Sequence, residues 1–310
     1  MRNSAVISVV VLFLTIAGLK MSSLYAMSGD KKIKKKVVLI SGAASGIGLV
    51  TARTFQEHGW KVWAGYHRQT SSELEGVASI STCALDVTDD ASVQAAVARI
   101  MEEDGHIDAL INNAGNGLVG AEECVTIAQA KQQFEVNFFG VLRLTQAVLP
   151  VMRKQRSGHI LNISSGVGVH SFPGLGIYSA SKFALESMSE SLAATVDSWN
   201  IKVSIIEPGF VKTPWGNGCA IGSRCLDEPV YKNLTSAITS MLATPQGQDP
   251  KEVAELLLAI AENPQPNMRY QTSPEMTDYV AQRLVDPVGN EARDGNIEYV
   301  KQITKRDSRV

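Results

Sequence analysis

Cysteine is scarce: four in 310 residues, with no two spaced Cys-x-x-Cys. No histidine cluster stands near Cys83, Cys124, Cys219 or Cys225, so no metal site is expected. Cys83 lies in an apolar run and reads as a small core residue. Cys219 and Cys225 share one loop and could be bridged, with free thiols the default reading. Charge of one sign is lacking too. The net charge is −2, which gives no reason to expect nucleic-acid binding by bulk electrostatics. Internal repeats and low-complexity linkers are absent, which excludes solenoids and tethered arrays.

Long hydrophobic runs are missing except at the N-terminus. Ala5 to Leu19 is uncharged and almost wholly apolar, yet shorter than the ~20 residues that span a bilayer comfortably. Arg2 precedes it as in a signal peptide, but Leu24 spoils a cleavage site at Ala26. Lys31, Lys32, Lys34, Lys35 and Lys36 follow, a solvated flank that favours a cytoplasmic main body. Residues 1–35 are therefore expected to be an uncleaved membrane anchor plus basic linker. One alternative is a cleaved signal peptide leading to a secreted or periplasmic protein. The other is a start at Met21 or Met27, leaving a cytoplasmic protein.

Beyond Lys36, short apolar runs alternate with helical patterns. Strands are expected at Lys36–Ser41, Lys61–Tyr66, Ser81–Thr88, Ile107–Gly115, Gly158–Ser164, Lys202–Glu207 and finally Asn267–Gln271. Phe134–Leu149 reads as one long apolar helix with Asn137 inside it. This alternation predicts an α/β fold: a Rossmann-type, doubly wound parallel sheet with helices on both faces. A single domain over residues 36–290 is expected, with a polar tail at 291–310. The Gly- and Pro-bearing stretch at about 210–250 breaks the pattern and reads as a binding loop or lid.

The first strand ends in Ser41-Gly42-Ala-Ala-Ser45-Gly46-Ile47-Gly48, followed by a helix. Glycines let backbone approach a pyrophosphate, and a helix N-terminus favours the anion. Asp86 ends the third strand and is a candidate to meet an adenine. Asn112, Asn113, Ala114 and Gly115 end the fourth, where amides either hold backbone in place or meet a ribose. Farther on, Tyr178 and Lys182 stand four apart on a helix and share one face. A nearby ammonium lowers a phenol's pKa, so the pair can serve as a general acid/base unit.

In this order, these motifs resemble the short-chain dehydrogenase/reductase family over roughly Lys36 to Tyr270. The resemblance implies an NAD(P)-dependent oxidoreductase interconverting an alcohol and a carbonyl. It carries the catalytic tetrad onto Asn137, Ser165, Tyr178 and Lys182. Ser165 would fix the substrate oxygen and Tyr178 exchange its proton. Lys182 would tune Tyr178 and bond the nicotinamide ribose, and Asn137 would position a relay water. Cofactor contacts are expected from Gly42, Ser45, Gly46, Ile47, Gly48, Asp86, Val87, Asn113, Ala114 and Gly115. Pro208, Gly209 and Thr213 are expected beside the nicotinamide. Asn267-Met-Arg-Tyr270 with Arg283-Leu-Val-Asp-Pro287 resembles the 17β-hydroxysteroid and retinol dehydrogenase branch. A homodimer or homotetramer is the expected assembly.

Two finer expectations follow. After the second strand come His67 and Arg68 rather than a carboxylate. Guanidinium suits phosphate, so NADP(H) is expected to be preferred, with NAD(H) the alternative. Trp215, Ile221, Leu226, Val230 and Tyr231 in the loop, with His170, Phe172 and Leu175 opposite, predict a lipophilic alcohol or ketone, steroid- or retinoid-like. The rival readings are a small polar ketone, or a dinucleotide sensor without catalysis.

Overall fold

The computed structural model describes residues 34–244 and 246–285, with 295, 297, 298, 301 and 302. Ala5–Leu19 lies outside the described residues, and with it the anchor, signal and late-start readings. Among the described residues no helix is long and apolar enough to cross a membrane.

The main strands are β1 (Val37–Ile40), β2 (Lys61–Tyr66), β3 (Ile80–Ala84), β4 (Ala109–Asn112), β6 (Gly158–Ile163), β7 (Ile201–Glu207) and β9 (Arg269–Gln271). They form one sheet in the order β3-β2-β1-β4-β6-β7-β9, and every pairing is parallel. A separate two-stranded pair joins β5 (Leu118–Val119) to β8 (Ala220–Ile221). The helices are α1 (Gly46–Glu57), α2 (Asp90–Glu103), α3 (Ile127–Phe134), α4 (Gly140–Gln155), α5 (Gly176–Val196), α6 (Pro229–Ala243), α7 (Pro250–Glu262) and α8 (Pro274–Val285).

The strands lack polar alternation because both sheet faces are covered. In β1, Val37 and Leu39 pack with Trp63, Leu110, Leu144 and Met152 on one side. Val38 and Ile40 pack with Phe55, Ile111, Val253 and Leu257 on the other. Each fully buried side chain of this size contributes roughly 1.5–3 kcal/mol. Helix starts are fixed locally. Asp89 accepts from Ala91 N at 3.0 Å ahead of α2, and Asp249 accepts from Lys251 N at 2.8 Å ahead of α7. Thr126 and Gln129 form a capping box on α3.

The sequence order reverses between β1 and β4. β1 continues outward to β2 and β3, whereas β4 continues to β6, β7 and β9. In such sheets the crevice at the strands' carboxyl ends beside this reversal is where ligands bind.

Two elements depart from the sequence expectation. The single helix expected from Phe134 is instead α3, one π turn (Glu135–Phe139) and then α4. The fully buried Asn137 sits in that turn. Its amide needs polar partners, and the widened turn lets it reach them across the fold. The second departure is α8, which the sequence reading left unassigned. Ser273 caps it, accepting from Met276 N at 3.3 Å, and Pro274 opens it.

His159 on β6 is 5% exposed. The Ser204 hydroxyl donates to Asn267 O at 2.8 Å. Its oxygen is left to accept from His159 Nε2 at 3.1 Å, which makes the ring neutral with its proton on Nε2. Burial, with the Lys202 charge adding to it, lowers the His159 pKa from 6.5 to about 4. A depressed pKa contributes stability that is present above the unfolded value and lost as pH falls through the folded one. The expected loss between pH 6.5 and about 4 is ~3 kcal/mol. Urea unfolding of wild type against His159→Gln across that range checks it; the difference between the two should shrink towards acid pH.

Candidate active site

The crevice at the β1–β4 reversal is built from backbone. Gly42 takes φ +66° and Gly46 φ +55°, conformations that suit glycine. A methyl group on Gly48 would come within 2.5 Å of Asn113 Nδ2, and closer still to the Gly42 carbonyl. Ser45 ends the turn in extended backbone and makes no side-chain cap. The first-turn amides of α1, at Gly46, Ile47 and Gly48, therefore point outward without intrahelical partners. A cradle that only glycines can line, closed by a helix N-terminus, fits a dinucleotide diphosphate. Thr213 closes the far side, 3.3 Å from where a Gly46 Cβ would stand.

Asn113 resolves one alternative left open by the sequence. Its Nδ2 donates to Ser41 O and Gly42 O, both at 3.0 Å, so the side chain holds backbone. The Ser41 hydroxyl oxygen accepts from Asn113 N and Ala114 N at 3.0 Å each.

At the other end of the crevice, His67, Arg68, Asp86, Val87, Ala114 and Asn116 line a cavity of about 220 Å³. His67 Nε2 lies 3.2 Å from Asp86 Oδ2. Desolvation works to raise the Asp86 pKa. It is outweighed by hydrogen bonds from Thr88 N and Oγ1, and by the charges of His67 and Arg143, so the carboxyl sits below its usual value. The α2 cap is Asp89 rather than Asp86, which leaves Asp86 facing the cavity.

Asn137 and Lys182 meet at Gly115, and Tyr178 stands beside both Lys182 and Ser165. A Cβ on Gly115 would lie 3.3 Å from Asn137 Oδ1 and 3.7 Å from Lys182 Nζ. Asn137 Oδ1 accepts from Asn116 N, and its Nδ2 donates to Asn116 O, each at 3.0 Å. Lys182 Nζ donates to Ile163 O at 2.8 Å and lies 5.9 Å from the Tyr178 ring centre. Ser165 Oγ donates to Pro208 O at 3.3 Å, which ties the Ser165 loop to the Pro208-Gly209 turn. Ser164 is buried behind it, at 3% exposure.

Burial pushes the Tyr178 phenol well above its ordinary value, partly offset by a hydrogen bond with Ser165 and reinforced by Cys219. Burial also brings Lys182 down to about 8, against a counteracting pull from Glu186. Desolvation, absent from the sequence argument, thus dominates the phenol. The Lys182 ammonium, expected to lower that pKa, is not among its main influences here.

The substrate side is mixed. The Trp215 ring stands 5.3 Å from that of Tyr178. Leu175, Tyr178, Leu234 and Ile238 form one apolar cluster. Phe172, Tyr231 and Leu234 help line a cavity of about 340 Å³. Leu226 and Val230, expected in the wall, are exposed instead. His170 turns away to stack on Tyr279 of α8 at 4.6 Å. The loop is stitched at its neck: Lys212 N donates to Gln248 O, and Gln248 N to Phe210 O, each at 2.9 Å. All four cysteines are free. Cys225 contacts Cys124, whose pKa is raised by burial and by that thiol.

Sequence reasoning missed Met276. It fills the space that side chains on Gly166 and Gly209 would take, so α8 covers the loop carrying Ser165. The Ser273-Pro274 pair was a readable helix start.

Comparison with known proteins agrees with this geometry. The short chain dehydrogenase family model matches residues 36–219. A 3-ketodihydrosphingosine reductase from Bacteroides thetaiotaomicron is 45% identical over 58% of this chain and 66% of its own. That match spans just under two thirds of the relative. Retinol dehydrogenase 8 from Bos taurus is 33% identical over 82% of this chain and 87% of its own. A short-chain dehydrogenase/reductase from Burkholderia phymatum, solved in complex with NAD, superposes with a TM-score of 0.69 at 28% identity. It covers 82% of this chain and 94% of its own. With the glycine cradle, the parallel sheet and the Tyr178–Lys182 pair in place, this chain belongs to the short-chain dehydrogenase/reductase family, in its retinol-dehydrogenase-like branch, and is an NAD(P)-dependent oxidoreductase.

Proposed function

We propose that the protein interconverts a lipophilic alcohol and its carbonyl, with Tyr178 as the proton donor in the reducing direction. One observation carries this reading: Tyr178 is a buried phenol, held protonated, beside Ser165 and against the apolar Trp215 wall. A phenol with a raised pKa keeps its proton until an alkoxide forms nearby, which suits a general acid. Ser165 fixes the substrate oxygen. Lys182 holds a positive charge near the phenol and the ribose side of the crevice. The two ends of the Asn137 amide are engaged by Asn116, so Asn137 acts by fixing Asn116 and the π turn, where any relay water would bind. The nicotinamide supplies or accepts the hydride when bound. Relatives named for retinol and for 3-ketodihydrosphingosine support an alcohol or ketone on a lipophilic skeleton over a small polar ketone. A filled tetrad argues against a non-catalytic sensor.

Tyr178→Phe should bind cofactor normally and lose turnover by ~10²–10⁴. The wild-type reduction rate should decline as pH rises through about 8, where Lys182 loses its proton. Assays against a panel of steroids, retinal and short polar ketones check both. Preference for the short ketones, or near-normal turnover in Tyr178→Phe, removes the reading.

NADP(H) is the proposed preference. His67 and Arg68 line the adenine-end cavity, and no carboxylate ends β2. Arg68→Ala should raise KM for NADPH and barely affect NADH; equal loss with both would remove Arg68 as the phosphate anchor.

Homo-oligomeric assembly belongs to the same proposal, supported by Phe139 and Phe183 standing 44% and 40% exposed. So does membrane attachment through Ala5–Leu19 with the catalytic body towards the cytoplasm. Fractionation of the full-length and Met27-start forms tests the attachment, and wholly soluble behaviour of both would refute it.

A further inference from the structure

Behind Lys182, away from the substrate side, lies a buried charge network that the proposed chemistry does not use. Glu186 follows Lys182 by one turn of α5, continuing the face that carries Tyr178. Its side chain is 7% exposed, and Oε2 accepts from Arg269 Nε at 3.1 Å. The same Nε lies 3.3 Å from Oε1 of Glu207, which is fully buried. Arg269 Nη2 reaches Glu190 at 2.6 Å, and Gln271 Nε2 donates to Glu207 Oε2 at 2.7 Å.

The network is tied to the Ser165 turn through β7 and α5. Glu207 ends β7 one residue before Pro208, whose carbonyl holds Ser165 and accepts from Gly166 N at 3.1 Å. Arg269 sits on β9, paired with Ile205 of β7. A Cβ on Gly168, in the turn after Ser165, would lie 3.1 Å from Lys182 Cβ and 3.3 Å from Glu186 Cγ. The Ser165 turn therefore packs on the stems of both residues at once.

Charge balance gives Glu186 its role. The charged groups around it are Lys182 and Glu190 from its own helix, Glu207 from β7 and Arg269 from β9. Two buried carboxylates face one guanidinium, and a buried charge left uncompensated is costly. The nearest further positive charge on this face is Lys182, one helical turn before Glu186, with its Nζ bonded to Ile163 O at 2.8 Å.

Resting on the proposed role of Lys182, we infer that Glu186, clamped by Arg269 and Glu207, is a positioning residue that keeps Lys182 charged and fixed behind Tyr178. Glu186 would otherwise serve only as a bracket for the sheet edge. The electrostatics point the same way: Glu186 is the group that pulls the Lys182 pKa upward against burial. Glu186 is itself raised to about 7, by burial first.

The test reads Lys182 directly and needs no substrate. The full chain is prepared with isotope-labelled lysine, and the Lys182 Nζ resonance, identified by its loss in Lys182→Ala, is titrated by NMR. The midpoint should fall by ~1 pH unit or more in Glu186→Gln. It should fall by less in Glu186→Asp, which keeps the charge but withdraws it by one methylene. The alkaline limb of retinal reduction with NADPH should move in the same order. A thermal melt of each variant tells a bracket apart, since a bracket lowers the melting temperature and leaves the titration unmoved. An unmoved midpoint in both variants, or the reverse order, overturns the inference. If wild type reduces none of the panel while the midpoint moves, the proposed reaction fails and the Glu186 assignment stands.

Discussion

The joint between β1 and β4 is the constraint on which this molecule depends. Ser41 N donates to Ile111 O at 3.0 Å, continuing the ladder one residue past β1. The Ser41 hydroxyl then takes two backbone donors from the end of β4, and Asn113 returns its amide to Ser41 and Gly42. Five hydrogen bonds thus lock the ends of β1 and β4 together where the sheet order changes hands. Without them the glycine turn would have no fixed shape, since its residues carry almost no side chain to pack. The dinucleotide cradle is rigid because its neighbour is rigid.

The same economy of buried polar groups runs through the core. Asn112 donates to Thr145 and to Asn162, Asn162 to Ser189, and Ser189 to Leu185 O. This chain crosses from the sheet to α4 and α5 and fixes the height of α5 against β6. Tyr178 and Lys182 ride on that helix. A polar chain satisfied at each of these steps specifies one packing where an oily interface would tolerate several. Desolvation then shifts both residues in directions that a pairwise charge argument does not anticipate.

What could be read from the sequence was local. The glycine turn, the strand runs and the i, i+4 spacing of Tyr178 and Lys182 are short-range patterns, and backbone geometry turns them directly into placement. What could not be read was long-range. Glu186 and Arg269 lie 83 positions apart, and nothing near either announces the other. Arg269 was visible only inside a branch-like motif, without a role. The π turn was hidden because its cause, Asn116, is 21 residues away from Asn137. Cys225 met Cys124 rather than Cys219 because the loop folds back across the short β5–β8 pair, a contact that spacing does not encode. Leu226 and Val230 were misplaced for the same reason: apolar content in a loop does not say which way the loop faces.

The stitched neck at Phe210, Lys212 and Gln248 has a consequence for how such a protein diversifies. A chain excursion whose two ends are already hydrogen-bonded to each other carries its own closure cost. That cost grows only slowly, by ~0.6 kcal/mol for each doubling of length. The segment between 212 and 248 can therefore change in length at little closure cost, provided that Thr213 keeps closing the cradle and that Trp215, Leu234 and Ile238 keep their packing around Tyr178. Selection on what enters the pocket is in this way partly separated from selection on what keeps the pocket folded. One scaffold can explore many substrates by varying the rest of a single loop.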